Sequence, residues 1–312
     1  QYNDQFGELY PHASWYQNYP ASWRLGVTPT GSGDGLDHYA GAMAYLRYYF
    51  LLREAGAAGG RLLSALRCWG RHIAHNASIG MSWADENRNV WYVKCTHRPG
   101  DYGNPSRVLY SHIWLESILA AAAIDGDTEF SQRVFHFSEK LLQHRTPNML
   151  SLWGTRDEAW YIRNLRALRT FKPGGETLTW IDRRVKEVAD TVIGKAFPLQ
   201  SEGRYDIWQE TLLLSELLEW AVEWSDEPLR QNVFDRAILI GRQFTHSDGA
   251  PAYRAFEGIP FNADAPSENP FMATYLIPVA FAGWNTDSDL SRRSEWKTAF
   301  VKARSLRDKQ ML

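Results

Sequence analysis

The sequence predicts an all-α protein whose helices pair into hairpins and assemble as an α/α toroid. Three observations favour this fold class. Apolar residues recur at helical spacing over most of the chain, short turns containing Gly or Asp separate paired stretches, and the paired unit occurs five times. The composition suits a large core, because 44% of the 312 residues are hydrophobic.

The clearest hairpin has the sequence IWLESILAAAAIDGDTEFSQRVFHFSEKLLQH and begins at Ile113. Its turn, Asp125-Gly126-Asp127, ends the first helix and gives the second helix an acidic start. A further copy, DIWQETLLLSELLEWAVEWSDEPLRQNVFDRAILIGRQF, turns at Ser225-Asp226 and places Pro228 in the first turn of its second helix. Two amphipathic stretches joined in this way predict an αα-hairpin.

Three further stretches repeat this layout. They run from about Tyr45 to Ile73, from about Trp160 to Ile193, and from Phe271 to about Ala303. Their turns are predicted at 56–60, 173–175 and 285–289, where Gly, Pro, Asn and Asp interrupt the helical period.

The two helices of a hairpin differ in polarity. First helices such as ETLLLSELLEWAV are apolar on nearly all sides, which is typical of helices buried between others, whereas the second helices are more amphipathic. This asymmetry predicts an inner ring of first helices and an outer ring of second helices, with five to six hairpins in a complete or incomplete ring. The chain is read as one domain, 1–312, in which residues 1–35 form an extended arm across one face. Long loops at 78–108 and 245–269 are expected to carry function and a few short strands, for instance around 90–95.

Composition and motifs exclude several classes of protein. The net charge is −2, so no basic surface for nucleic acid is predicted, and no apolar run of about 18 residues predicts a membrane span. Neither a metal motif nor a phosphate-binding loop occurs, so we expect no metal and no obligatory cofactor. The pairing of Cys68 with Cys95 is left open. The chain begins with Gln1 and shows no signal peptide, which indicates a mature N-terminus or a piece of a longer multidomain protein.

Candidate functional residues precede the first helices, because the loops that enter an inner ring converge at one end of it. These approaches share ionisable and aromatic side chains. They are 33–39 before the first hairpin, 97–102 and 110–116 before the second, 204–210 before the fourth and 268–271 before the fifth.

Two segments carry a resemblance to a known family: GDGLDHYAGAMAYLRYYFLLREAG, and HRPGD followed by YSHIWLESILAAAAIDGD. They resemble the six-hairpin toroid domain of carbohydrate-active enzymes, and within it the exo-acting rhamnogalacturonan lyase group, over roughly residues 30–145. The resemblance implies an enzyme that degrades a polysaccharide. The substrate class favours a secreted or periplasmic location.

Individual residues also admit structural roles. Trp114 and His112 are expected either to face a sugar, or to serve as a core side chain and a helix cap, respectively. His97 and Asp101 lie in a long loop without periodicity, where a functional role is favoured over packing. His72 and His75 fall on a second helix and are expected to be structural.

Two enzymatic mechanisms fit these residues. A β-elimination next to a uronate carboxylate needs a base, an acid and a group that offsets negative charge. Hydrolysis needs two carboxylates that flank the glycosidic bond, and the available ones are Asp37, Asp101, Glu116, Glu210 and Glu268. A non-catalytic glycan- or protein-binding helical module is the third hypothesis.

We predict β-elimination of an acidic, uronate-containing glycan ahead of hydrolysis. The predicted catalytic residues are His97, His112, Tyr102, Tyr110, Arg204 and Asp101. The predicted substrate-binding residues are Asp37, His38, Trp114, Glu116, Tyr205, Trp208 and Glu210. The expected partner is an oligo- or polysaccharide, and the oligomeric state is left open.

Overall fold

A computed structural model gives the architecture of the chain. It describes residues 2–3, 8–9, 43–76, 114–143, 154–172, 174, 176–193, 204–205, 207–244, 255–256 and 270–308. Ten α-helices lie in these ranges: α1 Met43–Glu54, α2 Gly60–Asn76, α3 Glu116–Asp125, α4 Thr128–Gln143, α5 Gly154–Phe171, α6 Glu176–Ile193, α7 Ile207–Glu223, α8 Glu227–Phe244, α9 Pro270–Thr286 and α10 Leu290–Asp308. The all-helical prediction is therefore confirmed.

Two very short antiparallel ladders accompany the helices. β1 (Tyr2–Asn3) pairs with β2 (Glu8–Leu9), and β3 (Arg204–Tyr205) pairs with β4 (Ala255–Phe256). The second ladder sets Arg204 opposite Phe256. The strand predicted around 90–95 lies outside the described residues.

The ten helices follow one another as five consecutive pairs, and the turn of each pair falls where the sequence predicts it. Packing of the two partners is seen in four of these pairs: α1–α2, α3–α4, α7–α8 and α9–α10. Gly126 takes a left-handed φ of 80° after α3, and Ser225 takes a φ of 56° after α7. The largest difference is at α5, which begins at Gly154 rather than near Trp160. The added segment, GTRDEA, is polar and has no apolar repeat, so the periodicity could not locate this start.

The described residues fall into two compact units. The first unit comprises those in Gln1–Thr146 and Arg163–Ile181, and the second comprises those in Pro147–Ile162 and Asp182–Leu312. The division passes through α5 and α6. The prediction of a single domain over 1–312 stays a prediction.

In each unit, successive hairpins pack side by side. α2 packs against α1 and α3, and α3 also packs against α4 and contacts α1. In the second unit α7 packs against α8 and α9, and α9 packs against α10. In both units a first helix therefore contacts the first helix of the neighbouring hairpin, α1 with α3 and α7 with α9.

Two of the first helices, α3 and α7, hold much of the core. Residues Ser117–Ala122 of α3 and Gln209–Leu218 of α7 are all buried. α4 instead buries one stripe, which includes Phe130, Val134, Phe137 and Leu141. The predicted contrast between apolar first helices and amphipathic second helices is thus present in these hairpins. The first helix α1 departs from the prediction of buried first helices, because none of its described residues is buried and it exposes large side chains such as Tyr48 and Phe50.

A polar contact recurs between the turn of a hairpin and the second helix of the hairpin before it, and we call this a turn contact. In the first unit, Arg67 of α2 lies with its Nε 3.7 Å from Oδ2 of Asp125, at the α3–α4 turn. Lys172, directly after α5, donates from Nζ to Oε2 of Glu139 on α4 at 2.7 Å. These contacts connect neighbouring hairpins of the first unit.

The second unit has a turn contact of the same kind. Asp287, at the α9–α10 turn, lies 3.5 Å from Nε2 of Gln231 on α8. Arg292 of α10 pairs with Asp287 and also with Asp235 on α8. The turn is therefore held to α8 by two polar side chains of that helix.

At Gly70 the backbone of α2 lies close to α3. A Cβ at this position would lie 2.1 Å from Cβ of Ala121 and 3.4 Å from the carbonyl oxygen of Ser117. We expect Gly70→Ala to destabilise the protein by about 1–3 kcal/mol, because the two helices must separate to admit the methyl group. Urea unfolding followed by circular dichroism at 222 nm measures this change.

Gly60, at the start of the same helix, provides the matched control. A Cβ there would have no atom within 4 Å. Gly60→Ala should leave stability within about 0.5 kcal/mol or raise it slightly, since it reduces the entropy of the unfolded chain. Equal effects of the two substitutions would show that close helix packing at Gly70 is not the cause.

Candidate functional site

The entry to α3 is held in place by two consecutive residues of α5. The backbone N–H of Leu115, one residue before the helix, donates to Oδ1 of Asn164 at 2.8 Å. Asn164 is itself 1% exposed. A buried hydrogen bond to a residue of another helix fixes the position and direction in which α3 begins.

The neighbouring residue of α5, Arg163, binds the first side chain of α3. Its Nε and Nη2 both donate to Oε2 of Glu116, at 2.8 and 2.6 Å. The side chains of Arg163 and Glu116 are 19% and 22% exposed, so the pair lies at a margin of the packed region. The entry to α3 thus combines a fixed backbone with a charged pair that solvent reaches.

The entry to α7, in the second unit, carries a different charged pair. Nε of Arg236 on α8 donates to Oε1 of Glu210 at 2.6 Å. Both side chains are almost fully buried. The other carboxylate oxygen, Oε2, has no hydrogen-bond partner among the described residues.

Burial has the largest effect on the pKa of Glu210. It raises the pKa of this carboxyl to about 7, although the charge and the hydrogen bond of Arg236 act to lower it. Because Oε1 accepts from Arg236, a proton on Glu210 is expected on Oε2. Near neutral pH this group can therefore hold or release a proton, which is what a general acid requires.

The side chain of Glu210 points towards α8. The side chain meets Arg236 of that helix, so it occupies the interface between the two helices of its own hairpin. The buried polar residues Gln209 and Glu216 lie on a different side of α7, since they differ from Glu210 by about 100° and 240° at 100° per residue.

The described residues include six of the thirteen predicted site residues. Trp114 is 2% exposed, which fits the core role that the sequence left open for it, and its sugar-facing role stays a prediction. Arg204 and Tyr205 form β3, and Trp208 is the second residue of α7. The remaining predicted residues lie outside the described part of the chain: Asp37, His38, His97, Asp101, Tyr102, Tyr110 and His112.

Three residues of these entries were not predicted from the sequence: Arg163, Asn164 and Arg236. Arg163 and Asn164 lie in RNLRALR, where charges at short intervals indicate a solvated helix face. The signal that could have found Arg236 is its position inside the apolar stretch VFDRAIL, because a buried arginine requires a partner.

Within the described ranges, no three His, Cys, Asp or Glu side chains are grouped in a way that would hold a metal ion. Among the helices of the same ranges, none is both long enough and apolar enough to cross a membrane.

Comparison with known proteins identifies no relative: the chain matches no family model, no curated protein and no solved structure.

Proposed function

We propose that the chain is a polysaccharide-degrading enzyme built as an α/α toroid, which cleaves an acidic, uronate-containing glycan by β-elimination in a cleft at one end of the ring. Two features of the described residues support the toroid. First helices contact neighbouring first helices, and turn contacts join three pairs of successive hairpins in the same order.

The main support for an active site at this helix entry is the Glu116–Arg163 pair. It sets a permanent cation beside a carboxylate at a solvent-accessible helix entry. In β-elimination the base removes the proton next to the uronate carboxylate, and a nearby cation offsets the negative charge that develops. His112, the proposed base, stands only two residues before Trp114 in the chain, and His97 is the other candidate.

Glycoside hydrolysis is the second candidate, and Glu210 favours it. A carboxyl with a pKa of about 7 can protonate a leaving glycosidic oxygen at neutral pH. A second carboxylate would then act as base or nucleophile. Against this role, Glu210 is almost fully buried beside Arg236.

A single assay separates these reactions. The protein is incubated with uronate-containing and neutral polysaccharides, while absorbance near 235 nm and new reducing ends are recorded. Elimination creates a conjugated double bond and raises both signals, and this is the result we expect on an acidic glycan. Reducing ends without absorbance would establish hydrolysis, and no cleavage of any glycan would favour a binding module.

Substitution of the proposed bases tests their role. We expect His97→Ala or His112→Ala to lower the rate of absorbance increase by about 100-fold or more, the range that general base catalysis provides. The helical circular dichroism signal should remain unchanged. Full activity in both variants would remove both residues as bases.

A further inference from the structure

The Glu116–Arg163 pair has an unusual hydrogen-bond pattern for an arginine and a carboxylate. Both N–H groups of Arg163 donate to a single oxygen, Oε2 of Glu116. The preferred arrangement is a fork in which two N–H groups meet two oxygens. Among the described residues, Oε1 of Glu116 receives no hydrogen bond, so the pair does not use the full capacity of the carboxylate.

We propose that Arg163 is the residue that selects a carboxylate-bearing sugar, and that Glu116 occupies its guanidinium until the carboxylate of the sugar takes its place. This inference rests on the proposed function and assigns its substrate specificity to one side chain. The incoming uronate carboxylate would accept two parallel N–H bonds and release Glu116.

Two properties of the pair and one of the neighbouring Asn164 support such an exchange. Both side chains are partly exposed, so neither must leave a fully buried position to change partners. An ion pair that solvent reaches is stabilised less than a buried one, so the exchange of one carboxylate for another costs little. The neighbouring Asn164 holds the backbone at Leu115, which keeps the site in place while Glu116 changes partner.

The test uses four probes that no glycosidase or lyase can consume: sodium galacturonate, sodium glucuronate and the methyl ester of each. The acid and its ester differ in the charge of one group, and neither contains a glycosidic bond. Affinities are measured by nuclear magnetic resonance titration at low ionic strength. Wild-type protein is expected to bind at least one acid roughly 10-fold or more tightly than its ester, because a hydrogen bond to a charged group is lost in the ester.

The variants assign that preference. Arg163→Gln should lower the affinity for the acid by roughly 10- to 100-fold and leave the ester unchanged. Arg163→Lys should restore part of the preference, since it keeps the charge without the fork. Glu116→Gln should raise the affinity for the acid by roughly 2- to 5-fold, because the competing carboxylate is gone.

Lys172 and Glu139 provide the matched control pair. They too link neighbouring hairpins of the first unit, with side chains that are 34% and 19% exposed. Lys172→Gln and Glu139→Gln should leave both affinities unchanged. If Arg163→Gln fails to fold, Arg163→Lys and Glu116→Gln decide the matter.

The possible results separate this inference from the proposed function. A preference for the acid that survives Arg163→Gln, an absence of preference, or an absence of binding each overturns the role of Arg163. The proposed function is decided independently, by absorbance and reducing ends on polysaccharide. Cleavage with absorbance in that assay would retain the lyase even if Arg163 makes no difference to binding.

Discussion

Replacing Arg236 with methionine is expected to destabilise the protein by about 3–5 kcal/mol at pH 8. The substitution leaves Glu210 buried and without its hydrogen-bond donor, and an uncompensated buried charge is strongly unfavourable. Urea unfolding followed by circular dichroism gives the difference. Arg183→Met is the control, because the 70% exposed Arg183 lies 3.9 Å from Glu187 in a surface pair and should contribute less than about 0.5 kcal/mol.

The effect of this substitution should depend on pH. Burial raises the pKa of Glu210 to about 7, so its carboxyl is mostly protonated at pH 5. The loss caused by Arg236→Met should then fall to less than half of its value at pH 8. A loss that is equal at both pH values would show that the charge of Glu210 is not the cause.

Glu210 also affects the wild-type protein in a direction opposite to that of most carboxyl groups. Because its pKa is higher in the folded chain, the folded state binds a proton that the unfolded state releases. Its contribution is most favourable below about pH 4.5 and is lost as the pH rises to about 7, by roughly 3 kcal/mol in total. Glu210→Gln should remove this part of the pH dependence, and an unchanged profile would contradict the assignment.

Asp287→Asn is expected to destabilise the second unit by about 3 kcal/mol or more. The side chain is fully buried and accepts hydrogen bonds from Nε1 of Trp296 at 2.8 Å, the backbone N–H of Asp289 at 2.9 Å and Nη2 of Arg292 at 3.0 Å. An amide has one acceptor oxygen, and its NH₂ group would face these donors. Asp308→Asn, at an exposed pair with Arg304, should change stability by less than about 0.5 kcal/mol.

The Asp287 prediction also has a pH signature. Burial by itself would raise the pKa of Asp287, but the hydrogen bonds from Trp296, Asp289, Arg292 and Gln231 outweigh it and hold the pKa below its usual value. The stabilisation is therefore present above about pH 4 and is lost as the pH falls further. Wild type and Asp287→Asn should approach each other in stability under strongly acidic conditions. A constant difference at every pH would refute this account.

The sequence predicts the helical hairpins because local signals mark them. Glycine and aspartate stop α3, apolar residues recur on one face of α4, and Pro228 stands where a first-turn proline is tolerated. The start of α5 was not predicted, because its first residues are polar and show no apolar residues at helical spacing. Pro278 lies inside α9, where the apolar residues on both sides of it predicted a helix although a proline disfavours the interior of one.

Only the carboxylate of each charged pair could be predicted from the sequence. Glu116 and Glu210 are visible in the sequence because each stands at the beginning of an apolar helix. Their partners are not, since Arg163 lies 47 residues from Glu116 and Arg236 lies 26 residues from Glu210. Which arginine meets which carboxylate depends on how the helices pack, and that is a property of the tertiary structure.

The turn contacts have a consequence for how the protein is made. Each one joins a hairpin to its immediate predecessor, as in the pairs separated by 33 residues at Glu139–Lys172 and by 56 at Gln231–Asp287. During synthesis, the second helix of one hairpin leaves the ribosome before the turn that will dock on it. A hairpin joined by such a contact therefore meets a helix that is already made, and within each unit assembly can proceed in the order of translation.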